Sequence, residues 1–99
     1  MSNANYRKGY AAERRARQEL EAEGWATHRS GGSHGVDIIG VLDALGIVCV
    51  LYISVKSGKR RPTKSDEQEL RRAKPVSGMI KRQIRYYAPR KPVEIIPVS

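Results

Sequence analysis

Ninety-nine residues suffice for one domain with a single small core and exclude two domains of ordinary size, so residues 1–99 are expected to fold as one unit. Nineteen Lys and Arg against ten Asp and Glu leave a formal charge of +9, spread through the chain instead of gathered in a tail, which points to a polyanionic partner. No segment is apolar enough to span a bilayer and no basic amphipathic helix carries bulky apolar anchors, which favours nucleic acid over a membrane, with an acidic protein as the other class of partner.

From about Tyr6 to Glu23 the chain is rich in Ala, Glu and Arg, lacks proline and stops at Gly24, which predicts one amphipathic helix. Its small and apolar stripe runs Gly9, Ala12, Ala16 and Leu20, and Glu13 shares that side. "WATHRS" is a short strand, with Trp25 and Leu20 expected to close the core beneath the helix and His28 on the surface. "SGGSHG" follows as a loop whose amides can approach a phosphate or simply turn the chain. "VDIIGVL" and "IVCVLYISVK" are two strands joined around Asp43 and Gly46, the second apolar on both faces until its end and therefore expected at the centre of the sheet. Alternation places Ser54 and Lys56 on the same face of that strand as Val48, Val50 and Tyr52.

After the basic loop "SGKRRP", the segment "TKSDEQELRRAK" predicts a second helix that ends before Pro75, with Ser65 and Gln68 at capping-box spacing. "MIKRQIRYYAP" and "VEIIPVS" are two more strands around the turn "PRKP". Tyr86 and Tyr87 alternate, so one is expected buried and the other exposed, and Ile80 and Ile84 are expected on the surface, available to an interface. The order α-β-β-β-α-β-β describes an α/β domain. Cys49, the single cysteine, reads as a small buried hydrophobe in a reducing compartment, and the N-terminus lacks an apolar leader segment, so the expected location is cytoplasmic: the nucleoid, or the host cytoplasm for a viral protein.

Three polar residues occupy positions that packing alone would give to apolar ones: Glu13 on the inward side of a helix, Asp37 at a strand start and Lys56 at a strand end. Each also has an ordinary reading: an ion pair of Glu13 with Arg17, a turn cap at Asp37, a solvated edge at Lys56. Taken together, acid and lysine beside a basic loop suit a hard cation and phosphodiester hydrolysis, because Mg²⁺ prefers carboxylate, carbonyl and phosphate oxygens and a lysine can orient the attacking water.

The same residues resemble the PD-(D/E)XK nuclease superfamily and, within it, the archaeal-type Holliday junction resolvases. "KGYAAERRARQELEAEGW" looks like that family's first helix with its glutamate, "HRSGGSHGVDIIG" like its serine-rich loop and metal-binding aspartate, and "YISVKSGK" like its (D/E)XK strand. The resemblance implies a restriction-endonuclease-like mixed central sheet flanked by helices, acting as a homodimer that nicks four-way or other branched DNA with Mg²⁺, for which Mn²⁺ can substitute. It implies Asp37, Val55 and Glu13 at the metal and Lys56 as the catalytic lysine. Arg7, Lys8, Arg29, Ser30, Ser33 and His34 would lie along the DNA, with Lys59, Arg60 and Arg61 in the basic loop. With no major-groove recognition helix in prospect, junction shape should matter more than base sequence.

Two positions depart from the pattern. Val36 stands where the motif's name has proline, which many members also lack. Ser54 stands where the family has Glu or Asp, and a unit charge there is worth roughly 4 kcal/mol of gross attraction to a cation at 4 Å in an effective dielectric near 20. Three readings of Ser54 stay open: an inactivating substitution, a second acid recruited from Glu13 or Asp43, or a DNA-binding protein without nuclease activity.

Overall fold

The computed structural model describes residues 3–30, 35–73 and 79–99, the side chains of residues 3–9 and of Met79 excepted. The elements follow the expected order: α1 (Asn3–Ala22), β1 (Ala26–Arg29), β2 (Ile38–Ala44), β3 (Ile47–Ser57), α2 (Lys64–Arg71), β4 (Met79–Tyr87) and β5 (Glu94–Val98). The five strands form one sheet in the order β1-β2-β3-β4-β5. Among the described residues β3 and β4 pair in parallel, with α2 in the crossover between them, and the other pairings are antiparallel, so the sheet is mixed.

The helices bury opposite faces of β3. On one side Ala12, Ala16 and Leu20 of α1 pack against Ile38, Leu51, Ile53 and Tyr87. On the other, Leu70 of α2 packs with Ala73, Val36, Val50, Tyr52, Ile84 and Val98. Trp25 leans on the first cluster, and a Cβ at Gly40 would stand 3.2 Å from its ring, which is why β2 carries glycine there. Val36 is buried among the α2-side residues, so an apolar side chain anchors the approach to β2 where the motif's proline would stand.

Several expectations need correction. Ile84 is fully buried and Ile80 packs against the α2-side cluster, so neither offers the open surface expected of it. Tyr86 and Tyr87 are both buried, because β4 is covered on its two faces instead of one. The capping box of α2 joins Thr63 and Asp66, two residues ahead of Ser65 and Gln68: the Asp66 N–H donates to Thr63 Oγ1 and the Thr63 N–H donates to Asp66 Oδ2. The β2–β3 hairpin turns at Leu45 and Gly46, both at positive φ, so Asp43 belongs to the ladder opposite Val48. The start of β3, Ile47 and Val48, is exposed with Leu45 at this hairpin tip instead of buried like the middle of the strand.

Candidate active site

β2 and β3 pair from Ala44↔Ile47 to Ile38↔Ile53, while β3 runs on to Ser57 with only β4 beside it, Ser54 opposite Ile84 and Ser57 opposite Tyr87. The sheet therefore forks at Asp37. Its main-chain N–H donates to Ile53 O at 2.9 Å and closes the ladder, and its side-chain Oδ2 accepts the Val55 N–H at 2.7 Å, the next amide along β3 facing the missing strand. One residue thus ends the pairing and displays a carboxylate beside the last residues of β3.

Burial is the largest influence on that carboxyl and raises its pKa above 3.8. The Val55 hydrogen bond and then Lys56 oppose the rise, while the charges of Glu13 and Glu69 add to it. The fork therefore receives acids from both layers: Glu13 from α1, as expected from its inward position, and Glu69 from α2. Glu69 reaches this place because Gly35 makes room for it: a Cβ there would stand 3.0 Å from Glu69 Cγ. Sequence reasoning missed Glu69, since Asp66, Glu67 and Glu69 crowd one short helix and no spacing singles out the one that faces Gly35. Asp43, six residues along β2 and roughly 20 Å away at strand rise, cannot join.

Ser54 is 2% exposed and belongs with Val50 and Tyr52 to the α2 face. Lys56, on the same face, holds its Nζ 3.6 Å from Asp66 Oδ1, the oxygen that the capping box leaves over. The cap of α2 therefore fixes the carboxylate against which Lys56 rests. A cleft of about 340 Å³ runs from Lys56 along Arg60, Arg61, Thr63 and Ser65.

The remaining expected residues divide. Glu13 pairs with Arg29 at 2.5 Å instead of with Arg17, which donates to Thr27 Oγ1. Arg29 also lies 5.4 Å from the Tyr10 ring centroid, so its guanidinium is held at the mouth of the fork. The Ser30 hydroxyl donates to Val36 O and its N–H to Asp37 O, so Ser30 and Asp37 bracket the loop between them. Ser33 and His34 in that loop, and the side chains of Arg7 and Lys8, lie outside the described residues. Lys59 and Arg60 are exposed, and among the described residues neither has an ion-pair partner, whereas Arg61 is bound to Glu94.

The fit of a divalent cation can be judged from the donors. Among the described residues no three acidic, Cys or His side chains converge closely enough to hold a metal by themselves. Mg²⁺ does not require such a cage: one or two carboxylates with waters and phosphate oxygens form its usual protein site. A half-buried carboxylate with a raised pKa and a second acid in its field fits that arrangement.

The sequence profile of the archaeal Holliday junction resolvase family matches residues 4–81, which include α1, the fork, Lys56, the basic loop and α2. The chain belongs to this family. Among solved structures, this family member is similar to Hjc of Archaeoglobus fulgidus, described as a Holliday junction resolvase from an archaeal hyperthermophile, with 25% identity and a TM-score of 0.67 over 92% of this chain and 73% of that one. The mixed sheet between two helical layers is thus the restriction-endonuclease-like fold that the sequence led one to expect. No curated protein matches the chain.

Proposed function

We propose that this chain is a structure-selective endonuclease that acts on four-way DNA junctions by metal-dependent phosphodiester hydrolysis. The observation that carries the reading is the fork itself, which brings the Asp37 carboxylate to the end of β3 while Lys56 stands on the same strand beside the basic loop. Family membership supports the reaction class.

In this reading Asp37, the Val55 carbonyl and an acid from the flanking helices, Glu69 or Glu13, would hold Mg²⁺ or Mn²⁺. The cation would supply Lewis-acid stabilisation of the phosphate and a more acidic water. Lys56, held against Asp66, orients the attacking water and offsets charge developing on the phosphate. Ser30 fixes the root of the serine-rich loop beside Asp37, and Arg29, Lys59 and Arg60 meet the DNA backbone. Recognition is by phosphate position and junction shape, since neither helix is free to enter a groove: each packs on the sheet. The working unit is a homodimer acting in the cytoplasm. Among the described residues Tyr10, Leu45, Ile47, Val48 and Ile95 are the large apolar residues left exposed, the aliphatic four of them available to an interface, and no helix there is long and apolar enough to cross a membrane.

A second reading, a branched-DNA-binding protein that does not cut, is favoured by one observation: the buried hydroxyl of Ser54 where the family pattern has a carboxylate. Junction cleavage in Mg²⁺ or Mn²⁺ separates the two, comparing the chain with Asp37→Asn, with Ser54→Glu and with Ser54→Glu carrying Asp37→Asn. Cleavage by the unaltered chain that Asp37→Asn abolishes establishes the enzyme with a helix-borne second acid. Cleavage only after Ser54→Glu identifies position 54 as a vacated ligand position. Binding without cleavage in every variant overturns the enzyme and leaves the binder.

A further inference from the structure

The basic loop after Lys56 is not uniformly available to DNA. Its third cation, Arg61, is engaged by Glu94 through two parallel hydrogen bonds, Nη2 to Oε2 at 2.6 Å and Nε to Oε1 at 3.2 Å. These are the two donors that a phosphate would take from an arginine fork. The guanidinium holds the Glu94 carboxyl below its ordinary pKa, so the pair is ionised at neutral pH.

The surrounding structure fixes where this pair sits. Gly58, at positive φ, opens the loop, and its carbonyl accepts the Tyr86 hydroxyl at 2.7 Å while its N–H donates to Tyr87 O. Glu94 stands directly opposite Tyr86 in the β4–β5 ladder. Root and tip of the loop are therefore both fastened to this one hairpin. Arg61 forms part of the wall of two clefts: the one that leads from Lys56, and a larger one of about 690 Å³ lined also by Lys59, Lys91, Tyr86 and Pro92. Lys59, Arg61 and Lys91 give the larger cleft three cations, and Glu94 is the carboxylate among them. Glu94 lies beyond the residues that the family profile matches, 4–81.

We propose that Glu94 is an internal competitor of the DNA backbone: it occupies the Arg61 fork until a phosphate displaces it, and thereby sets how tightly the cleft between the 58–62 loop and the β4–β5 turn grips nucleic acid. An exposed ion pair is weak enough to be exchanged for a phosphate. A lone duplex phosphate gains little from the exchange. A junction, which can fill the cleft from Lys56 and the larger one together, gains from both. The inference rests on the DNA-binding reading above and adds to it a residue that sets affinity without touching the scissile site.

The test is fluorescence anisotropy on a labelled four-way junction and a matched duplex, without divalent cations and across a salt series, for the parent, Glu94→Gln, Arg61→Gln and the double variant. Glu94→Gln is expected to tighten duplex binding about three- to tenfold at low salt and to steepen the salt slope by about 0.9, the increment for one further phosphate neutralised. The junction, whose binding in the parent already includes displacement of Glu94, should gain at least as much in affinity, with less change in its salt slope. In the Arg61→Gln background the same change should alter affinity less than about twofold. A gain that persists without Arg61 shows general charge repulsion and overturns the proposal, as does a Glu94→Gln variant that binds like the parent. A parent that binds neither DNA overturns the DNA reading itself, a result distinct from either. If Glu94→Gln loosens β5, seen as a fall in Tm, Glu94→Thr at the same position carries the test with a better strand former.

Discussion

Asp37 Oδ2 accepts the Val55 N–H at 2.7 Å, so the residue that displays the candidate metal carboxylate is also the residue that satisfies an amide stranded by the end of β2. The two tasks make different demands. Satisfying an amide needs only an acceptor, which asparagine supplies as well as aspartate does, whereas holding a cation needs the charge. An uncharged isostere therefore separates the structural role from the chemical one.

Asp37→Asn should raise stability while removing the response to metal. Burial raises the Asp37 carboxyl pKa, so the folded state holds the proton more tightly than the unfolded chain does. The folded state gains from protonation at low pH, and stability falls as pH rises from the ordinary carboxyl value through the raised one. Asparagine escapes that loss. Thermal scans should show Tm higher by roughly 2–6 °C at pH 7 and unchanged near pH 3, with the Tm gain that Mg²⁺ or Mn²⁺ gives the parent abolished. An equal or lower Tm at pH 7 would refute the account of Asp37.

Removing a helix-borne acid should bring Asp37 back toward its ordinary pKa without reaching it, because the Glu13 and Glu69 charges each raise it but burial remains the first cause. The carboxyl carbon of Asp37, followed by NMR across pH, should titrate lower in Glu69→Gln and in Glu13→Gln. Of the two, Glu69→Gln should weaken Mn²⁺ binding more, by about three- to tenfold for the loss of one charge near the ion, because Glu13 is already committed to Arg29, whereas among the described residues Glu69 has no ion-pair partner. Identical Mn²⁺ affinity in parent and Glu69→Gln would exclude Glu69 and leave Glu13 as the helix-borne candidate.

What the sequence disclosed follows from what periodicity encodes. The order of elements, the central place of β3 and the shared face of Ser54 and Lys56 depend on alternation and helix spacing, and the structure reproduces them. What escaped depends on three-dimensional proximity. Glu69 matters because Gly35 leaves room for it, and in the sequence Arg61 reads as a phosphate contact because nothing there marks Glu94, thirty-three residues later, as its partner. Ile84 looked like surface because a polar-flanked isoleucine on a late strand does not reveal that α2 crosses above it. The cap was misplaced for a local reason: Thr63 and Asp66 form the same kind of box as Ser65 and Gln68, offset by two residues, and only the backbone decides between them.

The box at Thr63 carries a consequence for Lys56. Asp66 is held below its ordinary pKa first by the Thr63 N–H and also by Lys56, so its contribution to stability is complete above the unfolded carboxyl value near pH 4 and is lost as pH falls through the lower folded one. Thr63→Ala should destabilise by about 1 kcal/mol, the ordinary loss of a side-chain cap. Asp66→Asn should lose more and should flatten the acid limb of the stability curve. Urea midpoints at pH 7 and pH 3 check this; a difference between parent and Asp66→Asn that is no smaller at pH 3 would count against it.

Beneath α1, the Arg85 side chain is 3% exposed, lies 3.3 Å from Glu19 and 3.6 Å from Glu23, and donates to Gln83 at 2.7 Å. The Tyr87 hydroxyl donates to the same Glu19 oxygen at 2.7 Å, and burial, aided by Glu19, pushes that phenol well above its usual range. A buried cation that keeps its partners adds little net stability, but one deprived of them is expensive. Glu19→Ala leaves Arg85 and Tyr87 short of their shared acceptor and should destabilise by about 2–4 kcal/mol, with Glu23 compensating in part. Arg85→Met removes the buried charge itself and leaves the partly exposed acids to water, so it should cost about 1 kcal/mol or less. Urea unfolding of the two variants decides the matter, and the order is the test: if Arg85→Met proves the more damaging, the pair contributes net attraction and α1 is held to β4 by charge as much as by its apolar stripe.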